Sequence, residues 1–134
     1  MNDRIMQGGC LCGSVRYETE GKSLQVVNCH CSMCRRHSGA AFLTYVGYRS
    51  DSVRFLKGSM TTFHSSDQAD RSHCAACGSP LMFVFHCAPE AVWLTVGSFD
   101  DPNMFEPTEH WYVASKLDWV HLDDGLPQWV GAPG

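Results

Sequence analysis

The sequence predicts an all-β fold made of several small, curved antiparallel sheets with one or two short helical turns. Short stretches rich in β-branched and aromatic residues recur along the 134 residues, which is typical of strands. Turn signals such as Gly78-Ser79-Pro80 separate these stretches at short intervals. A helical period is almost absent, so we expect a single all-β domain over residues 1–134.

The first strand signal is the alternation of Val15, Tyr17 and Thr19 with charged neighbours, which indicates a half-buried strand. Further strands are predicted at 24–29, 41–48, 53–56, 60–64, 81–86, 92–98 and 110–114. Gly58 lies between the strands at 53–56 and 60–64, and we expect these two to form a hairpin.

Helical signals are confined to two places. Residues 32–37 form the best candidate, with Ser32 as the capping residue, and a second turn is expected near 101–105. The tail is expected to pack through Trp119 and Trp129 and to fray after about residue 125.

Composition argues against several partners and favours metal binding. The net charge of -4 offers no basic surface for nucleic acid, and the apolar runs at 81–85 and 91–96 are too short to cross a membrane. The first residues do not resemble a secretory signal, so we expect a cytoplasmic protein, as a monomer or a homodimer. Eight cysteines in that compartment are expected to bind metal rather than to form disulfides.

Two cysteine pairs predict a closed metal site. Both lie on turns that end in Cys-Gly-Ser, and each glycine lets the backbone turn its amides toward the sulfurs. Four thiolates satisfy a tetrahedral structural zinc, although iron also accepts this ligand set. The predicted ligands are Cys10, Cys12, Cys74 and Cys77.

A second group, Cys29, Cys31 and Cys34, supplies only three thiols for another zinc ion. Cys29 and Cys31 share a strand face, and the turn that follows returns Cys34 to them. The site either keeps one position open for a substrate or is closed by Cys87 or a histidine; by default we expect Cys87 to be a small buried hydrophobe. Three thiolates make zinc a weak activator of water but suit it to hold a substrate thiol as thiolate, so thiol chemistry is favoured over hydrolysis.

Basic residues beside this group are candidate substrate contacts. Arg35 and Arg36 would offset the negative cluster or bind a carboxylate, although adjacent surface arginines are often only solvated. His37 is a candidate proton shuttle. His30, between two ligand cysteines, should point to the opposite strand face and support the site rather than bind metal.

These motifs resemble the glutathione-dependent formaldehyde-activating (Gfa-like) enzymes, the family that also contains centromere protein V. The resemblance extends to His110-Trp111 and Ser115-Lys116-Leu117-Asp118-Trp119 near the C-terminus and covers most of the chain. Its main segments are Gly9-Cys10-Leu11-Cys12-Gly13-Ser14-Val15-Arg16-Tyr17-Glu18, Cys29-His30-Cys31-Ser32-Met33-Cys34-Arg35-Arg36 with Gly39-Ala40-Ala41-Phe42, and Arg71-Ser72-His73-Cys74-Ala75-Ala76-Cys77-Gly78.

The resemblance implies a β-tent fold held by zinc, with a structural ion at the four cysteines and a catalytic ion at the three. It also implies a carbon–sulfur lyase that joins glutathione and formaldehyde to give S-hydroxymethylglutathione, as in S-(hydroxymethyl)glutathione synthase. Two alternatives remain: a thiol-binding module without catalysis, and a structural zinc protein with both sites closed.

Overall fold

Ten β-strands and one short α-helix form the part of the chain that the computed structural model describes, residues 4–132. The helix is α1 (Ser32–Ser38), and single 3-10 turns lie at Ser50–Ser52, Val96–Ser98, Pro102–Met104 and Val113–Ser115. The strands are β1 (Ile5–Gly9), β2 (Arg16–Glu20), β3 (Gln25–Cys29), β4 (Leu43–Arg49), β5 (Val53–Lys57), β6 (Met60–Ser66), β7 (Ala69–Cys74), β8 (Pro80–Phe85), β9 (Ala91–Thr95) and β10 (Glu109–Trp111).

The strands form two sheets. A three-stranded sheet has the order β1-β2-β5, and a seven-stranded sheet has the order β10-β3-β4-β9-β8-β7-β6. Every neighbouring pair is antiparallel except β10 and β3, which run parallel. The predicted all-β class is confirmed, with this one parallel pair as a departure from purely antiparallel sheets.

The main core lies where the small sheet packs against the middle of the large one. Tyr17 of β2 is fully buried, its ring meets Phe99 edge-on, and its hydroxyl shares a 2.7 Å hydrogen bond with Ser98 Oγ. Leu81 and Leu94 contribute fully buried side chains from the large sheet. Burial of each such apolar side chain contributes about 1.5–3 kcal/mol, which holds the two sheets together.

The predicted hairpin between 53–56 and 60–64 is wrong. β5 pairs with β2 in the small sheet, whereas β6 pairs with β7 in the large one. Gly58 lies between them with a φ of +93°, and a Cβ there would come within 2.3 Å of the Ser14 carbonyl oxygen. This glycine therefore permits a close backbone crossing and a change of sheet instead of a tight hairpin turn.

Other expectations are corrected in detail. The cap of α1 is Cys31, whose sulfur accepts the Cys34 amide proton at 3.2 Å, and Ser32 is the first helical residue. The predicted strand at 92–98 ends at Thr95 and continues as a 3-10 turn, and that at 110–114 is limited to β10. Strands β1 and β7 carried no clear signal in the sequence.

The C-terminal segment lies along β10 and the residues that follow it. Trp129 donates its amide proton to His110 O at 2.9 Å, and Tyr112 donates to Gly131 O at 3.1 Å. The chain after about residue 125, which we expected to fray, is thus hydrogen-bonded over residues 127–131. The expected packing of Trp119 is wrong, because 68% of that residue is exposed.

Candidate metal centres and the adjoining cavity

The four cysteines predicted to form a closed site are brought together at one end of the molecule. Cys10 and Cys12 lie in the turn after β1, and Cys74 and Cys77 lie at the end of β7 and in the turn that follows it. The Sγ atoms of Cys10 and Cys12 are 3.6 Å apart, and those of Cys12 and Cys74 are 3.9 Å apart. Two thiolates on one tetrahedral zinc at about 2.3 Å lie about 3.8 Å apart, so the observed spacing fits one metal ion.

The two turns aim polar hydrogens at these sulfurs. The amides of Ala76 and Cys77 both donate to Cys74 Sγ at 3.3 Å, and Gly78 follows with a φ of +80°. The hydroxyl of Ser79 lowers the pKa of Cys77 to about 5. The sequence-based expectation that glycine directs amides toward the sulfurs is thus met, and the thiolate form of Cys77 is favoured.

The second cysteine group lies where β3 passes into α1. Cys29 ends the strand, Cys31 caps the helix, and Cys34 lies in the first helical turn. The sulfurs of Cys34 and Cys29 are 3.0 Å apart, so they would separate by less than 1 Å to occupy two positions on one zinc. Hydrogen bonds from Cys29 and then Cys34 lower the pKa of Cys31, because both thiols stabilise its thiolate.

No fourth histidine, cysteine or carboxylate ligand joins this group within residues 4–132. Cys87, one of the two candidates for closing the site, is exposed in the turn after β8, so its expected burial is wrong. His30 is fully buried, and its Nε2 contacts His110 Nδ1 at 3.0 Å while His110 Nε2 contacts Asp124 at 2.8 Å. As expected, His30 supports the strand from behind and is not a member of the cluster.

A cavity of about 280 Å³ adjoins the three cysteines, all of which line it. Its walls are mainly apolar and aromatic, and they come from α1, from strands β3, β4 and β6 to β10, and from the segment after β10. The main wall residues are Val27, Tyr45, Phe83, Phe85, Trp93, Trp111 and Tyr112. A mainly apolar pocket with a few converging polar groups is the usual form of a small-molecule site. Trp93 and Trp111 thus form part of the pocket wall beside the cysteines.

Arg71 is a charged residue of the cavity wall that the sequence did not indicate as part of the site. It is 4% exposed, and its Nη2 and Nη1 lie 3.6 and 3.7 Å from Cys34 Sγ. Nη1 also donates to the Tyr45 hydroxyl at 2.9 Å, and the guanidinium lies 4.7 Å above the Phe83 ring. Its Nε–H is buried and has no hydrogen-bond partner among the described residues. Arg71 therefore places a positive charge in the wall of the cavity.

The three basic residues predicted as substrate contacts lie on α1. Among the described residues, none of Arg35, Arg36 and His37 is part of the cavity lining. Arg35 reaches the rim, where its Nη1 donates to the carbonyl of Ser115, a lining residue, at 3.4 Å. Burial lowers the pKa of His37, which keeps this half-buried imidazole neutral.

Comparison with known proteins places these features in one family. The sequence model described as "Glutathione-dependent formaldehyde-activating enzyme" matches residues 5–115, which include both cysteine groups. The chain belongs to the glutathione-dependent formaldehyde-activating enzyme family. The crystal structure of a Rhodobacter sphaeroides protein is similar to this family member in fold, with a TM-score of 0.59 at 24% identity, over 92% of this chain and 99% of that one.

No significant match was found among curated proteins. Within residues 4–132, no helix has the length and apolar character needed to cross a membrane. The family match supports an enzyme with glutathione and formaldehyde chemistry, and the cysteine groups are able to bind metal.

Proposed function

We propose that this protein is a zinc-dependent carbon–sulfur lyase that joins and releases a small thiol, glutathione or a close analogue, and a small aldehyde such as formaldehyde. The observation that carries the proposal is the three-thiol group, which has no fourth protein ligand among residues 4–132 and lines an apolar cavity. Membership of the formaldehyde-activating family supports the same chemistry.

Two zinc ions per chain are proposed. Cys10, Cys12, Cys74 and Cys77 would saturate a structural ion, and Cys29, Cys31 and Cys34 would hold the catalytic one. A zinc ion with a free position supplies the means to bind the incoming thiol in its nucleophilic thiolate form. A cytoplasmic location, which the sequence predicts, would keep all of these ligands reduced.

The protein's own contribution begins with the cavity walls. Phe83, Trp93 and Trp111 line the space beside the thiols, and electrostatic contacts against this apolar wall are stronger than in bulk water. The reaction adds the thiol across the carbonyl: a C–S bond forms, the carbonyl oxygen becomes a hydroxyl, and nothing is oxidised. Negative charge consequently develops on that oxygen.

Arg71 is suited to meet that charge. Its guanidinium is held in place by Tyr45 and Phe83, and Arg71 brings its positive charge to the lining of the cavity. Burial raises the pKa of Tyr45, so this hydroxyl stays protonated and its oxygen accepts from Arg71. A preorganised cationic donor of this kind stabilises a developing oxyanion without reorganisation.

The remainder of the thiol substrate would lie at the cavity mouth. A cavity of about 280 Å³ is at the small end for ligand sites, so it suits the reacting ends of the two substrates. Arg35 at the rim is the best placed of the three basic residues to bind a glutathione carboxylate; Arg36 and His37 would act only on parts of the substrate outside the cavity. All three remain proposed contacts.

Exchange NMR between free and adduct-bound formaldehyde, with glutathione present, tests the proposal. Zinc-replete protein should accelerate exchange above the uncatalysed rate, and Cys31→Ser should abolish the acceleration while removing close to one zinc per chain. Cys87→Ser changes an exposed cysteine outside both groups, so this variant should keep the rate acceleration and the full zinc content. Full turnover by a folded Cys31→Ser protein would refute the proposal, whereas thiol binding without acceleration would indicate a binding module.

A further inference from the structure

A third group of metal-binding side chains lies away from the cysteines, on neighbouring strands β6, β7 and β8. His64 of β6 and Asp70 of β7 are paired across the strands, and His86 follows β8 directly. Asp70 Oδ1 lies 2.9 Å from His64 Nδ1 and 3.1 Å from His86 Nε2. Two imidazole nitrogens therefore converge on one carboxylate oxygen.

The orientation of His86 is fixed by its other ring nitrogen. Nδ1 lies 3.2 Å from the Asp67 carbonyl oxygen, which can only accept, so Nδ1 carries a proton. Nε2 then faces the Asp70 carboxylate oxygen, so either a proton or a metal ion lies between these two atoms. Metal-binding histidines are commonly held in this way, with the second nitrogen donating to a backbone carbonyl.

The two histidine rings are also held relative to each other. Their centroids are 5.0 Å apart with an angle of 13° between the planes, so they stack. Nitrogen and oxygen ligands of a tetrahedral zinc at about 2.1 Å lie about 3.4 Å apart, and the observed 2.9 and 3.1 Å separations need to widen by only about 0.3–0.5 Å.

We propose that His64, Asp70 and His86 form a binding site for a divalent cation of the zinc type, with water completing the coordination. Two imidazoles and one carboxylate suit zinc, nickel or cobalt and lack the oxygen-rich ligand set that calcium and magnesium prefer. The partial exposure of all three side chains gives an ion direct access from solvent and makes the site weaker than the cysteine sites.

The position of this group gives the ion a local consequence. The chain between His64 and Asp70 contains four residues that line the cavity, Ser65, Ser66, Gln68 and Ala69. A cation shared by β6, β7 and the end of β8 would link both ends of this turn to the neighbouring strand and so brace one wall of the cavity.

Calorimetric titration of tag-free protein that already holds zinc at its cysteine sites tests this proposal. Zn²⁺ should bind with one additional equivalent, and His64→Ala and His86→Ala should each weaken that step at least tenfold. His121→Ala, which alters an exposed histidine outside the group, should leave it unchanged. Circular dichroism would confirm that each variant is folded.

Cobalt distinguishes this group from the thiolate sites. Co²⁺ in the additional site should give visible ligand-field bands without the near-ultraviolet sulfur charge transfer that cysteine ligands produce. The absence of an additional equivalent, its persistence in the double variant His64→Ala/His86→Ala, or a spectrum with sulfur charge transfer would overturn the proposal. These results do not depend on turnover, so they are independent of the proposed enzyme activity.

Discussion

Replacement of Arg71 by glutamine tests the part of the proposed site that the structure revealed. The guanidinium lies 3.6–3.7 Å from Cys34 Sγ, and its Nε–H has no partner within the described residues. Glutamine removes the positive charge and the forked donor while retaining a polar side chain. We expect kcat for adduct formation to fall while the KM for the thiol changes little, since the lost interaction forms with the developing oxyanion.

The size of the effect follows from the contacts. Loss of one donor to an oxyanion typically costs 10²–10³ in kcat, or about 2.7–4 kcal/mol. A unit charge pair at 4 Å with an effective dielectric of 20 interacts by about 4 kcal/mol, which is an upper bound here because zinc would share the thiolate charge. Tyr45 would also lose its hydrogen-bond partner, so the free energy of unfolding should fall by about 1–3 kcal/mol.

Exchange NMR at saturating glutathione, with zinc content and circular dichroism recorded for each variant, measures this effect. Arg71→Lys, which keeps the charge but not the fork, should recover part of the rate. The matched control is Arg54→Gln, which changes an exposed arginine of β5 that pairs with Glu18. If folded Arg71→Gln protein with two zinc ions keeps kcat within threefold of the parent, the proposed role of Arg71 is wrong.

Three further predictions concern metal and backbone. Cys77→Ser should remove the structural zinc and lower the free energy of unfolding by several kcal/mol, since metal binding in small zinc sites contributes about 10–16 kcal/mol to folding. Metal analysis measures the zinc content, and calorimetry measures the stability. Gly58→Ala should lower the free energy of unfolding by more than 3 kcal/mol, because the added Cβ would overlap the Ser14 carbonyl. Gly97→Ala, where the added Cβ meets open space, should change it by less than 1 kcal/mol. Denaturant titrations measure both values. A strong chelator should abolish turnover before it unfolds the protein, because the zinc at the three-cysteine site would have an open coordination position. Simultaneous loss of turnover and of folded structure would contradict the assignment of two different sites.

The three-cysteine group was predictable because its members lie close together in the sequence. Cys29, Cys31 and Cys34 lie within one strand end and one helical turn, so their convergence follows from strand and helix geometry alone. The four-cysteine site joins two cysteine pairs that are more than sixty residues apart in the sequence. Their shared Cys-Gly-Ser turns justified placing them together, because four thiolates fill the coordination of one tetrahedral ion.

Arg71 was not predictable in the same way. It reaches the cavity because β7 lies between β6 and β8, and this strand order is a tertiary property that no local period records. Only the folded strand shows that Arg71 shares the buried face of β7 with Ala69. An arginine in step with a small apolar residue on the inward face of a strand is costly unless it is paired, so that pattern deserves a search for a site.

The failed hairpin has a similar origin. The strand-type composition of 53–56 and 60–64 correctly indicated strands, but it cannot show which sheet each strand joins. Gly58 carries the missing information in its φ of +93° and its contact with Ser14, neither of which is visible before the chain is folded.

The two cysteine groups show why ligand type alone does not determine the role of a zinc site. Cys12 and Cys77 are exposed, and four sulfurs leave no position for a substrate, so this group is suited to joining β1 to β7. Cys29 and Cys34 are buried beside an apolar cavity, and the guanidinium of Arg71, in contact with Cys34 Sγ, offsets their charge. A small thiol should therefore change the cobalt spectrum of the three-cysteine site and leave that of the four-cysteine site unaltered. If the thiol instead changed only the spectrum of the four-cysteine site, the assignment of the chemistry to the three-cysteine site would be wrong.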